Sequence, residues 1–178
     1  MAAPKTADKT AAMTIVTRLG ESDWERLRAV RLRALRDAPD AYGSSVEREE
    51  GHDEATWRAM VARGAWWVAV CDARDVGVVA GGDREHDGER WVYSMWVEAT
   101  RRGTGDAVAL LDAVVRWALE QGASSLGLDV TDRVPRARRF YERYGFAATG
   151  VVFALPRDRS ITLTEMRLGL SDLSGSGS

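Results

Sequence analysis

Arg102-Gly103-Thr104-Gly105-Asp106-Ala107 forms a glycine-rich turn between a strand-like run, Trp91 to Val97, and an amphipathic helix predicted from Val108 to Gln121. Glycine allows the chain to turn tightly and lets the backbone approach a ligand closely. The first N–H groups of a helix have no acceptor within the helix, so they can bind the oxygens of an anion. The turn therefore predicts a site for a phosphate group where a strand passes into a helix.

Two well-known phosphate-binding loops do not fit this turn. A nucleotide P-loop carries Lys followed by Ser or Thr after its last glycine, whereas Gly105 is followed by Asp106 and Ala107. A dinucleotide-binding fingerprint lies in an early strand–turn–helix unit and has a third glycine. This turn lies beyond the middle of the chain and follows several predicted strands, so a different phosphate-binding fold is indicated.

A second motif, Arg139-Phe140-Tyr141-Glu142-Arg143-Tyr144-Gly145-Phe146, lies on a helix that Pro135 is well placed to begin. Together the two motifs resemble the acetyl-CoA site of the GNAT acyltransferase superfamily. Its pattern Arg/Gln-x-x-Gly-x-Gly/Ala is matched by Arg102, Gly105 and Ala107. The resemblance extends from residue 14 to residue 168 and is strongest between residues 91 and 146. It implies that acetyl-CoA is the co-substrate.

The hydrophobic pattern predicts an α/β fold with the element order β-α-α-β-β-β-α-β-α-β-β. The resemblance implies a single GNAT-like domain with a mixed, mostly antiparallel central sheet flanked by helices. Strands are expected at 14–19, 65–71, 76–80, 90–97, 126–130, 147–155 and 160–168, and helices at 22–38, 54–62, 108–121 and 135–145. Residues 13–170 are interpreted as the domain, and residues 1–12 and 171–178 as a flexible appendage and a linker-like tail.

The composition excludes several classes of protein. A formal net charge of −2 gives no overall basicity for binding nucleic acid. The sequence has no apolar stretch of membrane length and no signal peptide, so a cytoplasmic protein without a membrane partner is expected. Cys71 lies in an apolar run and is predicted to be a buried thiol. His52 and His86 stand apart, without the spacing of metal ligands, and no metal is expected.

The resemblance also assigns cofactor-binding residues. The backbone N–H groups of the glycine-rich turn, Arg102 to Ala107, are expected to hold the pyrophosphate. The pantetheine arm is expected to pair with the end of the preceding strand, at Met95, Trp96 and Val97. Asp106 departs from the family, because relatives usually have an aliphatic residue there and a carboxylate repels a pyrophosphate. The remaining candidates are arginines that either meet the 3′-phosphate or form a solvated helix face: Arg133, Arg136, Arg138 and Arg139.

Two residues are candidates for catalysis. By resemblance, the hydroxyl of Tyr141 protonates the departing thiolate, although a tyrosine that only completes the core fits the same pattern. Asp129 is the candidate base, acting through water, and an aspartate that only binds a neighbouring loop is the alternative. Glu98 is the next candidate base, and many relatives need none. The N–H near Val97 is expected to meet the oxyanion, whereas Val134 replaces a common asparagine.

These features predict an acetyl-CoA-dependent N-acetyltransferase that acts on a primary amine of a small molecule by direct attack in a ternary complex. A protein N-terminal or lysine acetyltransferase, and a non-catalytic acyl-CoA-binding module, are the alternatives. The family places acceptor specificity in two segments, here 37–57 and 153–160. The acidic residues between Glu47 and Glu54 either attract a cationic amine or form a solvated loop. Pairing of the final strands between subunits makes a homodimer compatible with the resemblance.

Overall fold

The computed structural model describes residues 13–84 and 89–171. The predicted appendage at residues 1–12 and residues 172–178 of the predicted tail lie outside the described residues, as does His86. Within the described ranges the strands are β1 Ile15–Arg18, β2 Ala65–Cys71, β3 Arg74–Asp83, β4 Arg90–Val97, β5 Ser125–Thr131, β6 Ala147–Leu155 and β7 Asp158–Gly169. The helices there are α1 Trp24–Asp37, α2 Val46–Glu50, α3 Glu54–Arg63, α4 Asp106–Glu120 and α5 Pro135–Tyr144.

The strands form one sheet in the order β1-β2-β3-β4-β5-β7-β6. Every neighbouring pair is antiparallel except β4 and β5, which are parallel. The predicted mixed, mostly antiparallel sheet flanked by helices is therefore confirmed. The parallel pair is short, because only Arg90 with Leu126 and Trp91 with Gly127 are in register. Beyond Trp91 the two strands diverge and leave a gap in the sheet.

Local details differ from the sequence prediction in three places. The segment between α1 and α3 contains the short helix α2, where a loop was expected. The connection between β2 and β3 is a two-residue turn, because Asp72 and Ala73 both adopt left-handed backbone angles. Helix α1 begins at Trp24 and not at residue 22, and the carboxylate of Asp23 just before it accepts from the N–H of Gly20 at 2.9 Å.

The core lies on both faces of the sheet. Helices α4 and α5 cover one face together with the buried side chains of β5 and β7, and α1 and α3 cover the other face over β2 and β3. Cys71 is buried as predicted. Four tryptophans of the sheet are buried: Trp66, Trp67, Trp91 and Trp96.

A bulge in β4 positions the site. Val78 is opposite Trp96 and Ala80 is opposite Tyr93, so Ser94 and Met95 of β4 together face the single residue Val79 of β3. Ser94 has a φ of +60°, which serine adopts only at a conformational cost. The bulge bends the end of β4 away from β5. It therefore helps to open the gap between the two strands.

Candidate active site

A cavity of about 710 Å³ occupies the gap between the diverging strands and the beginnings of α4 and α5. It is lined by most of the residues predicted to bind the cofactor: Met95, Trp96, Val97, Arg102, Gly103, Gly105, Ala107 and Tyr141. Thr104 and Asp106 belong to the same loop but do not line the cavity. A volume of this size suits a ligand larger than a typical drug fragment.

The glycine-rich loop presents its backbone to this cavity. Gly103 and Gly105 have φ angles of +83° and +98°, which explains why glycine occupies both positions. A Cβ atom at Gly105 would meet nothing within 4 Å, so the backbone angle and not the space requires glycine there. The first bond within α4 runs from the N–H of Ala109 to the carbonyl of Gly105. The N–H groups from Asp106 to Val108 therefore have no acceptor within the helix.

Two of the predicted phosphate-binding amides already have partners in the loop. The N–H of Arg102 donates to the carbonyl of Ala99, and the N–H of Thr104 donates to that of Arg101, both at 3.4 Å. The hydroxyl of Thr104 also donates to the carbonyl of Arg101, at 2.7 Å. The amides best placed to bind an anion are accordingly those at the start of α4.

The side chain of Asp106 points away from the cavity. It is 2% exposed and accepts bonds from Nε and Nη2 of Arg101, at 2.9 and 3.1 Å, and from the hydroxyl of Thr14 at 2.6 Å. Burial alone would raise the pKa of Asp106, but the hydrogen bonds from Arg101, Thr14 and Thr104 outweigh it and lower the pKa. The carboxylate that departs from the family is therefore neutralised by its ion pair with Arg101.

Arg102 ties the loop to the ends of β4 and α1. Its Nε donates to the carbonyl of Val97 at 3.1 Å, and its Nη2 pairs with the carboxylate of Asp37. The indole N–H of Trp96 donates to the same carboxylate at 2.9 Å. The pKa of Asp37 is lowered, first by the bond from Trp96 and then by the charges of Arg102 and Arg136. Asp37 thus stays ionised and fixes the loop against the sheet.

The end of β4 turns alternate backbone groups toward the gap. The N–H of Glu98 donates to the carbonyl of Val76 in β3 at 2.8 Å. The carbonyl of Met95 instead accepts from the hydroxyl of Tyr42 at 3.3 Å, and the carbonyl of Val97 accepts from Nε of Arg102. Both carbonyls therefore point away from β3. Because the N–H and C=O of one strand residue point to the same side, the N–H groups of Met95 and Val97 face the gap.

A second cavity of about 80 Å³ adjoins the first on the same gap. The residues that line both cavities form their common wall: Ala41, Tyr42, Met95, Val134, Ala137 and Tyr141. Val134, which replaces the common asparagine, thus adds an apolar surface to this wall. Tyr141 is part of the wall and lines both cavities. Asp129 lines the second cavity only, beyond that wall.

Tyr141 is nearly buried. It is 7% exposed on α5, and its ring packs edge-on against Phe140 and Phe146 at centroid distances of 5.2 and 5.7 Å. Burial, and secondly the nearby Tyr42, raise the pKa of Tyr141 well above its usual range. The hydroxyl therefore stays protonated at neutral pH and is available as a donor.

Asp129 has an unsatisfied oxygen. Its Oδ1 is buried and lacks a hydrogen-bond partner among the described residues. Burial raises the pKa of Asp129, and the charge of Glu165 adds to the effect, against the opposing influence of Arg84 and Trp91. A buried polar atom without a partner is unfavourable unless a ligand or water meets it. Asp129 is therefore suited to accept a proton from a molecule in the second cavity.

The other predicted candidates have different places. Arg136 lines the large cavity, whereas Arg138 pairs with Glu142 at 2.9 Å and Arg133 donates to the carbonyl of Ser160 at 3.2 Å. Arg139 is exposed and lines neither cavity. Glu98 also lines neither cavity, and its carboxylate faces Arg74 at 3.5 Å.

The acidic residues between Glu47 and Glu54 contribute mainly to helix ends and ion pairs. Glu49 is 3% exposed and pairs with Arg31, and the other partners are Arg36 for Glu50 and Arg58 for Glu54. The carboxylate of Asp53 caps α3 by accepting from the N–H of Thr56 at 2.8 Å. Attraction of a cationic amine by this cluster gains no support from the structure. Throughout the described residues, no group of three acidic, Cys or His side chains is placed to hold a metal ion.

Sequence reasoning missed several residues of the site. Tyr42 lines both cavities, and its carbonyl accepts from Nε of Arg157, at 2.7 Å, in the turn before β7. Arg143 lines the large cavity beside Arg136. Tyr42 is a lone tyrosine in a polar segment, and no hydrophobic periodicity there would identify it as a site residue. Arg143 was recoverable, because it lies seven positions after Arg136 and hence on the same face of α5.

Residues 31–146 match the sequence model of the family described as acetyltransferase (GNAT) family. The chain belongs to this family. The predicted family is thereby confirmed, and the co-substrate of GNAT enzymes is acetyl-CoA. The GNAT match covers the loop, β4 and α5, so the two motifs that carried the resemblance both lie within it.

Individual relatives agree with this assignment. The chain is 37% identical over 87 residues to an N-acetylaspartate synthetase of Xenopus tropicalis, which is 49% of this chain and 32% of that protein. It is 33% identical over 106 residues to the acetyltransferase Atu2258 of Agrobacterium fabrum, 54% of this chain and 76% of that protein. This GNAT chain therefore spans about a third of the length of the N-acetylaspartate synthetases that it matches.

Solved structures share the fold. The acetyltransferase yncA from Salmonella typhimurium, in a structure with its cofactor acetyl-CoA, superimposes with a TM-score of 0.72 at 18% identity. The match covers 90% of this GNAT chain and 95% of that chain. Across the described ranges, each helix is either too short or too polar to pass through a lipid bilayer.

Proposed function

We propose that this GNAT protein transfers the acetyl group of acetyl-CoA to a primary amine of a small molecule by direct attack in a ternary complex. The observation that carries the proposal is the common wall of the two cavities. Tyr141 lies in that wall, with a phosphate-binding loop on one side and the unsatisfied carboxylate of Asp129 on the other. A donor and an acceptor could thus approach each other from two sides of one gap.

The residues of the large cavity fit acetyl-CoA. The free N–H groups at the start of α4 suit the pyrophosphate, and the N–H of Val97 suits the amide-bearing arm. Arg136 and Arg143, on one face of α5, are suited to the 3′-phosphate. When bound, acetyl-CoA supplies a thioester that an amine can attack.

The remaining steps are assigned to residues of this chain. Asp129 accepts a proton from the ammonium form of the acceptor through a water molecule, and its raised pKa brings it closer to the neutral range in which a base is most effective. The N–H of Met95, which lies in the common wall two residues before Val97, donates to the oxyanion that develops on the acetyl group. Tyr141 donates its hydroxyl proton toward the departing sulfur. No covalent intermediate with the protein is needed.

A small acceptor is favoured by the size of the second cavity. Its volume of about 80 Å³ admits a compact amine, and its lining includes the hydroxyl-bearing residues Tyr93, Ser94 and Thr131. The names of the N-acetylaspartate synthetase relatives point to an amino acid as one acceptor to try. A protein N-terminus or lysine remains the enzymatic alternative, and a module that binds acyl-CoA without turnover is the non-catalytic one.

Homodimer formation through the final strands is part of the same proposal. Strand β6 is at the edge of the sheet, and Val151 and Val152 on it are 48% and 57% exposed. Light scattering on the purified protein tests this, and a monomer at micromolar concentration would contradict it.

The deciding experiment is calorimetric titration with acetyl-CoA followed by measurement of thiol release against a panel of amines. The panel contains aspartate, other amino acids, polyamines and a peptide with a free N-terminus. Micromolar binding together with thiol release that depends on a small amine supports the proposal. Release with the peptide alone would favour the protein acetyltransferase, and binding without any release would favour the acyl-CoA-binding module. Absence of binding would contradict the assignment of the loop.

A further inference from the structure

A buried ion pair connects α1, α2 and the bulge of β4. Nε and Nη2 of Arg31 donate to the two carboxylate oxygens of Glu49 at 3.0 and 2.8 Å. The side chains are only 7% and 4% exposed. The remaining nitrogen, Nη1, donates to the hydroxyl of Ser94 at 3.1 Å. Arg31 thus uses its planar fork to hold a carboxylate on one side and the bulge on the other.

The same guanidinium also contacts the common wall of the two cavities. It lies over the ring of Tyr42 at 4.6 Å from the centroid, a distance typical of a cation–π contact. Tyr42 in turn donates to the carbonyl of Met95 at 3.3 Å. Arg31 itself lines neither cavity, so any influence on the reaction passes through Ser94 and Tyr42.

Stability alone explains this arrangement poorly. Removing two charges from water offsets most of the attraction between them, so a buried ion pair is weak evidence for stabilisation. Helices α1 and α2 are already joined at the surface by Arg36 and Glu50, whose side chains are 53% and 48% exposed. The distinguishing feature of the buried pair is its bond to Ser94, the residue with the left-handed angle that makes the bulge.

We propose that Arg31, held by Glu49, is a positioning residue for acetyl transfer. It fixes the bulge at Ser94 and the ring of Tyr42, and thereby keeps the N–H groups of Met95 and Val97 directed into the gap. The inference rests on the proposed function, because it assigns those N–H groups to the co-substrate and the oxyanion. The hydrogen bonds of Arg31 go to Glu49 and Ser94 and not to the phosphate-binding loop, which the pair of Arg102 and Asp37 holds against the sheet.

The first test replaces the buried pair by neutral side chains of similar size, Arg31→Met with Glu49→Gln. A lost positioning contact is expected to lower kcat by about 30- to 100-fold, while the KM for acetyl-CoA changes by less than about threefold. The matched control is Arg36→Met with Glu50→Gln, which removes the exposed pair between the same helices and should leave both constants unchanged. Wild-type kcat in the first double variant would overturn the proposal.

Loss of folding and loss of positioning are separated by two measurements. Leu27→Ala, a fully buried core change on α1, calibrates how far turnover falls through destabilisation alone. Amide resonances of residues 94–97, recorded without any cofactor, are expected to shift in the Arg31 and Glu49 double variant and to stay in place in both controls. Unshifted resonances would overturn the proposal. This second readout is independent of turnover, so it decides the matter even if no amine proves to be an acceptor.

Discussion

The two cavities of the candidate site share a wall of six residues but differ beyond it. Beyond that wall, the large cavity is lined mostly by one continuous segment, from the end of β4 through the loop to the start of α4, together with residues of α5. The second cavity depends on side chains that are far apart in sequence, such as Tyr42, Asp129 and Tyr141. The first should therefore be sensitive to backbone angles, and the second to the loss of single functional groups.

The largest effect is expected from Gly105→Val. A side chain forces the backbone away from a φ of +98° and disturbs the amides at the start of α4, even though a Cβ atom meets no neighbour. We expect acetyl-CoA to bind about 100-fold more weakly, which is ~3 kcal/mol and at the upper end of the range for a strained residue. Calorimetric titration measures this directly.

Gly122→Val is the matched control for that change. Gly122 follows the opposite end of α4, has a φ of +73° and likewise has no neighbour within 4 Å of a Cβ atom. It should lower the melting temperature to a similar extent and leave the affinity for acetyl-CoA unchanged. Equal loss of affinity in both variants would mean that general destabilisation, and not the phosphate-binding loop, is responsible.

Tyr141→Phe is expected to have the next largest effect. Removal of the hydroxyl should lower kcat by about 10- to 1000-fold, the usual contribution of a general acid, with little change in the affinity for acetyl-CoA. Tyr144→Phe provides the comparison, because Tyr144 lines the same cavity but donates its hydroxyl to Asp112 at 2.6 Å. Steady-state kinetics that left the Tyr141 variant fully active would remove Tyr141 from the mechanism.

Asp129→Asn should reduce turnover by about tenfold or more. The loss should be incomplete, because water can still accept the proton in many reactions of this kind. In the wild type, kcat should rise with pH through a pKa above the ordinary aspartate range, because burial raises the pKa of Asp129. Asp132→Asn, in which an exposed aspartate just after β5 is changed, is the control. A pH–rate profile identical in wild type and the Asp129 variant would contradict the role as base.

The same variant also separates the catalytic interpretation of Asp129 from the structural one. A raised pKa means that the folded state binds the proton more tightly than the unfolded state. The contribution of Asp129 to the free energy of unfolding therefore falls as the pH rises from its pKa in the unfolded state to its pKa in the folded state. Asp129→Asn should consequently raise the melting temperature at neutral pH while it lowers turnover. A lowered melting temperature would instead indicate that Asp129 holds a neighbouring loop.

The smallest effect on activity is expected from Asp106→Asn. Because the pKa of Asp106 is lowered in the folded state, its ion pair contributes stability that is present above the unfolded pKa and is lost as the pH falls through the folded value. The variant should melt at a lower temperature at neutral pH, and the difference from the wild type should shrink in acid. Acetyl-CoA affinity should stay within about twofold, because the side chain points away from the cavity.

The parts of the molecule that could be predicted from sequence are those that depend on nearby residues. The glycine-rich loop, the start of α5 at Pro135 and the end of α4 at Gly122 each carry a local signal. The orientation of Asp106 could not be predicted, because it depends on a hydrogen bond from Thr14, 92 positions away. Tyr42 was missed for a similar reason, since its place in the wall is set by tertiary contacts.

The acidic residues between α1 and α3 illustrate the same limit. Sequence alone shows several carboxylates close together, which fit either a patch that attracts a cationic amine or, more commonly, a solvated loop. Only the structure distinguishes Glu49, buried against Arg31, from its neighbour Glu50, which remains at the surface. The two positions are adjacent in sequence, so no composition or charge pattern could have separated them.

The short parallel junction of β4 and β5 affects how cooperatively the sheet unfolds. Only two residue pairs join the four strands on one side of it to the three on the other. We expect the amides along this seam to exchange with solvent sooner than those in the middle of either half. A ligand arm that pairs with Val97 would act as the strand that the sheet lacks. Part of the stability of this fold would then come from the bound co-substrate. It would be gained on binding and lost on release in each catalytic cycle.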